Sequence, residues 1–320
     1  MAFLPPPAFE IPRPPVEPPL HGLLDTAYVP DLSKFPEGER ERWEAGISFR
    51  PNPSTCGDHV VPWMAWTDDP ANKQEPEANV PYSTYNTFVL TYSTHCMAQP
   101  GDELDRDVKS AMDNLVAGSG QAVESVFWGP GSAGPLAEMF APLGSNFSLS
   151  GETPLVTGYA ANSCTGILNQ NPVVSGITSF SPKQALLSLT QALGNCALGA
   201  RGFIHAPVYL VEDWAAEGLI RLSDPDDPTS KYITNIRGDY VVGGSGYSGV
   251  GPEDHPRQTP ADGYAWAYAT GPVGVLLSEP RSQETTIIDH RNNLHKIIVE
   301  RTVAIAANPS CLFAAYVDVA

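Results

Sequence analysis

Eight of the first twenty residues are proline: Pro5, Pro6, Pro7, Pro12, Pro14, Pro15, Pro18 and Pro19. Proline fixes φ and donates no backbone hydrogen bond, so this stretch fits neither a helix nor the interior of a sheet. It runs extended, close to polyproline II. A disordered tail or a ligand for a proline-recognising domain has the same composition. Phe3, Leu4, Phe9, Ile11 and Val16, set between the prolines, favour a strap that lies on an apolar surface. The rest of the chain continues the theme, with 32 prolines and 28 glycines in total and only 17% charged residues, against ~25% in an average soluble domain. Such a chain is ordered but rich in turns and extended segments. Its 42% hydrophobic content suffices for one large or two modest cores.

The formal net charge is -18, with 18 Lys plus Arg. Gripping nucleic acid requires clustered cations that displace counterions from phosphates, and the sequence has no such cluster. A negative surface repels DNA, which suits the wall of a container better than a packaging factor. The five cysteines, Cys56, Cys96, Cys164, Cys196 and Cys311, are odd in number and far apart. That is the pattern of reduced thiols, not of a disulfide framework. The N-terminus MAFLPPPAFE has neither the basic region nor the apolar run of a signal peptide. No stretch reaches the ~18 apolar residues of a membrane span. Synthesis in bacterial cytoplasm is the expectation.

Two β-like runs, His59–Trp66 and Thr87–Tyr92, flank the polar stretch DDPANKQEPEANVP. A protruding two-stranded arm fits this pattern, and a sheet edge within a core fits it as well. From Asp102 the period becomes helical: Leu104, Val108, Met112, Leu115, Val116, Val123 and Phe127 recur at spacings of three, four or seven. Asp102, Glu103 and Asp105 complement the dipole at its start, while Gly118 and Gly120 weaken its middle. The helix is predicted to span roughly 26 residues, or ~39 Å, and to end at Trp128. Ser181-Pro182 caps a second helix with Leu186, Leu189 and Leu193 as its stripe. A strand over Phe203–Val211 and a short helix from Glu212 to Leu219 follow, so an α/β unit is expected near 151–275. At the C-terminus, Thr286–Ile288 and Leu294–Ile305 read as strands joined by a turn at Asn292-Asn293, and Asn308-Pro309 precedes a last run, Leu312–Val319.

Motifs that carry chemistry are weak. GxGxxG occurs at Gly129–Gly134 and at Gly244–Gly249. It binds a dinucleotide only between a strand and a helix whose N-terminus receives the pyrophosphate. The first follows a helix, and the second leads into Pro252, so both read as glycine-rich turns. P-loop, GxSxG and HExxH patterns are absent, and no Cys or His pair has metal-ligand spacing. Asp224-Pro225-Asp226-Asp227-Pro228 reads as an exposed acidic turn in preference to a calcium loop. No catalytic residue, cofactor or metal site is predicted.

The order of elements resembles the Hong Kong 97-type capsid fold. Two segments carry the resemblance. Asp107–Leu115 continuing through Glu124–Gly131 is similar to the spine helix and its glycine exit. Asp289–Asn293, Val299–Ala304 and Asn308-Pro309 are similar to the closing strand pair, also seen in encapsulins, while Trp266–Val273 is similar to virion proteins of actinobacterial phages. The resemblance implies an α+β fold with an extended N-terminal arm (1–46), an extended two-stranded loop (47–96), a peripheral domain (97–150 and 276–320) completed by the closing strands, and an axial domain (151–275). It implies a structural subunit, not an enzyme, that self-assembles into hexamers and pentamers of an icosahedral head enclosing double-stranded DNA without sequence-specific binding, and that resides in the virion without a membrane. Scaffolding, portal or decoration proteins are its implied partners, with a scaffold that is separate from this chain or absent. Some relatives join a loop lysine to a neighbour's asparagine; Lys73, with Asn292, Asn293 or Asn308 and Glu300, has the residue types, although a charged loop tip is ordinarily just solvated. The strap and the arm cannot satisfy themselves alone, so Phe3, Phe9, Ile11, Trp63, Met64, Trp66 and Phe88 are predicted intersubunit contacts. Another virion component (neck, tail or decoration), an encapsulin-like shell and, more remotely, an α/β enzyme are the alternatives.

Overall fold

The computed structural model describes residues 22–31, 34, 43, 47–49, 83–85, 87–97, 102–128, 164–167, 170–171, 176–177, 179–196, 201–222, 232–252, 257–282, 286–289, 294–307 and 311–320. In chain order the elements are α1 (Leu23–Thr26), β1 (Ile47–Phe49), β2 (Ser83–Tyr85), β3 (Thr87–Met97), α2 (Asp102–Trp128), β4 (Cys164–Ile167), β5 (Gln170–Asn171), β6 (Gly176–Ile177) and α3 (Pro182–Cys196). There follow β7 (Phe203–Pro207), α4 (Val208–Ala216), β8 (Ile220–Arg221), β9 (Thr234–Asn235), β10 (Tyr240–Gly244), β11 (Tyr264–Thr270), β12 (Val273–Leu277), β13 (Arg281–Ser282), β14 (Thr286–Asp289), β15 (Leu294–Ala307) and β16 (Cys311–Asp318).

Seven strands form one mixed sheet in the order β4-β16-β11-β7-β10-β9-β8. Its middle is buried on both faces. Along β16, Leu312, Ala314 and Tyr316 join a core with Trp128, Trp266 and Tyr268, while Cys311, Phe313, Ala315 and Val317 pack with Leu186, Leu189 and Leu193 of α3. The last strand thus lies in the seven-stranded sheet, in a different sheet from the pair β14–β15. A strand apolar on both faces needs cover on both, and the seven-stranded sheet provides it. Conversely β12, assigned mostly to the axial segment, pairs with β15 in the other sheet.

That second sheet is organised by β15, a 14-residue strand. One of its edges pairs with β3 from Leu294↔Met97 to Ala304↔Thr87. The other edge takes β14, β13 and β12 in turn, so the predicted pairing of Thr286–Ile288 with the following strand is found. Ile297 and Val299 of β15 lie under Ala111 and Leu115 of α2, and the alternate residues Lys296, Ile298, Glu300 and Thr302 are less buried, as in a sheet with one covered face. The predicted second run of the arm is therefore part of this sheet. Phe88, predicted to contact a neighbouring subunit, is 4% exposed and belongs to the chain's own core. Strands β1 and β2 pair antiparallel as Ile47↔Tyr85, Ser48↔Thr84 and Phe49↔Ser83, and the first run of the predicted arm, His59–Trp66, lies outside the described residues.

Helix α2 runs unbroken for 27 residues, ~40 Å at 1.5 Å per residue, through Gly118 and Gly120. It starts on the second sheet and ends with Phe127 and Trp128 in the core beneath the first. Helix α3 begins as its sequence dictates: Gln184 N–H donates to Ser181 Oγ (3.4 Å) and Ser181 N–H to Gln184 Oε1 (3.2 Å), a reciprocal capping box. The strand expected over 203–211 stops at Pro207, because from Val208 the buried positions Leu210, Val211 and Trp214 follow a helical period. On α3 the buried and exposed leucines predict opposite behaviour. Leu189→Ala, at a fully buried site, is expected to lower unfolding free energy by ~2–5 kcal/mol. Leu187→Ala, half-exposed, is expected to change it by less than ~0.5 kcal/mol. Urea denaturation of both variants measures the difference.

Candidate functional site

The two sheets meet at the C-terminal half of α2. Glu124 is 2% exposed and its carboxylate accepts two backbone N–H bonds, from Leu23 to Oε1 (2.9 Å) and from Gly246 to Oε2 (3.0 Å). Leu23 opens α1, whose N-cap Gly22 makes no side-chain cap bond, so Glu124 supplies an acceptor that the helix lacks locally. Burial pushes the Glu124 carboxyl up, and the two N–H donors pull against that shift. The second glycine motif explains itself here. A Cβ on Gly244 would meet the Glu124 carboxylate, and one on Gly246 would meet Gln121 O and Ser125 N of α2. The glycines open space for a helix from elsewhere in the chain, not for a phosphate at a following helix. The first motif, Gly129–Gly134, lies outside the described residues.

Beside this junction Trp128 sits edge-on to Tyr268 (4.5 Å, 85°) and 4.8 Å from Tyr247. His205, fully buried, bridges Tyr247 Oη at Nδ1 (2.8 Å) and Thr270 Oγ1 at Nε2 (2.9 Å). Thr270 donates its own proton to Gly271 O, so Nε2–H must donate to Thr270 and Nδ1 accepts from Tyr247. Burial pushes the His205 imidazole down to about 3. Burial and the Glu124 carboxylate push the Tyr247 hydroxyl well up. The trio is neutral at physiological pH and its ring nitrogens are both engaged, a structural network. Among the described residues no group of three His, Cys, Asp or Glu is placed to hold a metal ion.

Of the predicted contact residues, Phe3, Phe9, Ile11, Trp63, Met64 and Trp66 lie outside the described residues, and Phe88 is internal. Exposed apolar side chains occur elsewhere: Tyr28 and Val29 after α1, Val89 on β3, Val116 on α2, and Leu222 and Ile236 by the β8–β9 edge. Ile236 is 81% exposed on a rigid turn. Asn235 Oδ1 accepts from Arg237 N and Asp239 N, and Asp239 accepts from Gly202 N, Asn235 Nδ2 and Arg237 Nη1. The signal for the turn is local, in Asn235 and in Gly238 at φ 90°, but the exposure of Ile236 depends on the sheet edge around it. Tyr28 is held in place by Val273 O and Val275 N, one residue of parallel pairing on β12.

These parts define an α+β body whose two larger sheets are spanned by one long helix. No family model matches the chain, and no curated protein matches it in sequence. Among solved structures, the capsid of an empty GTA particle is similar over 98% of this chain and 95% of that chain, at TM-score 0.51 and 10% identity. Gordonia phage Cozz (TM-score 0.41, 13% identity, 85% and 80% covered) and an encapsulin complex from Synechococcus elongatus (0.42, 12%, 92% and 92%) are more distant in shape. The first likeness is one of fold: the chain has the Hong Kong 97-type capsid fold that its sequence resembles.

The junction yields two expectations. Gly246→Ala forces α2 off the sheet and is expected to destabilise by ~1–3 kcal/mol, the range of overpacking, measured by denaturant unfolding. The pH dependence of Glu124 follows from its raised carboxyl. The folded state binds the proton more tightly than the unfolded one, so its contribution to stability falls as pH rises from about 4.5 through the folded value and then levels off. The stability difference between the wild type and Glu124→Gln, measured from pH 4 to 8, is expected to decline in that direction.

Proposed function

We propose that this chain is the structural subunit of a closed shell, assembling as hexamers and pentamers into an icosahedral phage head around double-stranded DNA. The observation that carries this reading is the likeness of fold to a capsid over nearly the full length of both chains. Three features support it. β1 and β2 pair with each other, as the two strands at the base of an extended loop would. The proline-rich arm, 1–46, enters the body at α1, where Leu23 is fully buried. The net charge of -18 suits a wall that does not hold the genome by its phosphates. In this reading the loop is 47–85, β3 and β12 go with the peripheral unit, and β16 goes with the axial unit. Phe3, Phe9, Ile11, Trp63, Met64 and Trp66 anchor neighbouring subunits, the particle is the virion, and scaffolding, portal or decoration proteins are its partners.

Electron microscopy of the overexpressed chain is expected to show closed shells; a compact monomer by analytical ultracentrifugation overturns the reading. Deletion of residues 2–20 separates the strap from the body, because it stops short of Leu23 and its bond to Glu124. The truncated subunit is expected to unfold at the same denaturant midpoint but to form few or no particles. Intact particles from it refute the strap's role.

A further inference from the structure

Among the described strands the seven-stranded sheet ends at β8, and its outer corner brings arginine, tyrosine and exposed aliphatic side chains together. Arg221, Thr234 and Tyr240 form one row across β8, β9 and β10, and residues in register share a face. The Arg201 guanidinium stands 5.8 Å from the centre of the Tyr240 ring and donates to Tyr240 Oη (3.4 Å). Tyr232 meets the same ring edge-on at 5.2 Å. Arg201 also borders the turn after β9, since a Cβ on Gly238 would lie 3.8 Å from its Nε. That turn raises Ile236, 81% exposed, and Leu222, also exposed, follows Arg221 at the end of β8. A single exposed aliphatic residue is ordinary, but this one is held in place. Asp239 and Asn235 are buried and between them accept bonds from Gly202 N, Arg237 N, Arg237 Nη1 and Asp239 N. A contact group fixed beforehand loses little freedom on docking. Arginine and tyrosine around an apolar centre is also the composition of interface hot spots.

Charge selects the occupant. Arg201, Arg221 and Arg237 gather at this corner of a chain that has 18 Lys plus Arg against 36 Asp plus Glu. Asp239, the acid paired with Arg237, is fully buried and shows no charge outward. The chain itself, at a net charge of -18, is an acidic partner present at the same concentration, while that charge repels nucleic acid. We propose that the β8–β9 corner docks a second copy of this chain, with Ile236 as the central anchor and Arg201 and Arg221 as the rim that meets the neighbour's acidic surface. The inference rests on the shell reading and deepens it by naming a face through which subunits meet.

The test compares the purified full chain with Ile236→Asp, Ile236→Leu and the double variant Arg201→Glu/Arg221→Glu. Sedimentation and electron microscopy over a range of protein concentrations measure assembly, and the urea midpoint measures folding. Ile236→Asp is expected to keep the wild-type midpoint and to raise the concentration needed for assembly by about thirtyfold, the size of a hot-spot loss. Ile236→Leu is expected to assemble as the wild type does. The double variant is expected to assemble poorly, and less poorly at 1 M salt, where screening shortens to ~3 Å. If Ile236→Asp lowers the midpoint, the uncharged Ile236→Ser decides in its place. Wild-type assembly of the Ile236→Asp chain overturns this proposal and leaves the shell reading standing, whereas a wild-type chain that never assembles overturns both. A double variant that assembles normally but no longer retains DNA assigns the corner to nucleic acid and also overturns the proposal.

Discussion

A carboxylate closed off from water at the meeting point of three distant segments sets the terms for the rest of this fold. Taking Glu124 out of water costs several kcal/mol even after relaxation, and each charge-assisted bond from Leu23 N and Gly246 N returns ~1.5–3 kcal/mol. The two sums are close, and the upward shift of the carboxyl says that burial wins. Such a group persists only where its surroundings leave it no alternative position. Here the surroundings are helix α2, the opening of α1 and the glycine turn after β10, none of which is near another in sequence. The turn must be glycine to let the helix approach, and the helix must approach for its last residues, Phe127 and Trp128, to fill the core under the seven-stranded sheet.

The two sheets then differ in what they can offer outward. The seven-stranded sheet spends both faces internally through its centre, and what it leaves exposed is its β8–β9 edge with Leu222 and Ile236. The five-stranded sheet gives one face to α2. On the other, Trp43 covers Leu276 and Ala304, while Lys296, Glu300 and Thr302 keep partial contact with solvent. A chain built this way keeps its cores to itself, and much of the apolar surface it shows outward lies at sheet edges and turns.

What could be read from the sequence divides along the range of the interactions involved. Helix α2 was legible from end to end because its period and its acidic start are local, and α3 because Ser181 and Pro182 write its start in two adjacent residues. Strands β14 and β15 were legible as a hairpin for the same reason. The destination of β16 was not, since Leu312–Val319 pairs with β11 and β4, and nothing nearby in sequence names either partner. Phe88 was misassigned because a β run beside a polar stretch looks alike whether it protrudes or lies in a sheet; the long pairing with β15 decides it. Glu124 carried no signal of its buried role, one acid among many on a helix, until the fold put two backbone donors against it. Val208–Val211 reads as strand by composition, and only the burial of Trp214 one turn later shows the helix.

A net charge of -18 makes copies of this chain repel one another, but salt screens that repulsion beyond ~8 Å, so any association rests on short-range contact and on how firmly the contacting parts are held. The root of the N-terminal arm is held at two points. Glu124 grips Leu23 N, and five residues later Tyr28 N–H donates to Val273 O while Val275 N–H donates to Tyr28 O. Between them Leu23 and Ala27 are buried in the main core. A tether fixed at one point can pivot, whereas one fixed at two points sets the direction in which the chain upstream leaves. An extended proline-rich segment keeps such a direction over several residues, because its φ angles are already fixed. The same carboxylate that joins the two sheets therefore also fixes the start of α1, the described point at which the N-terminal part of the chain meets the body.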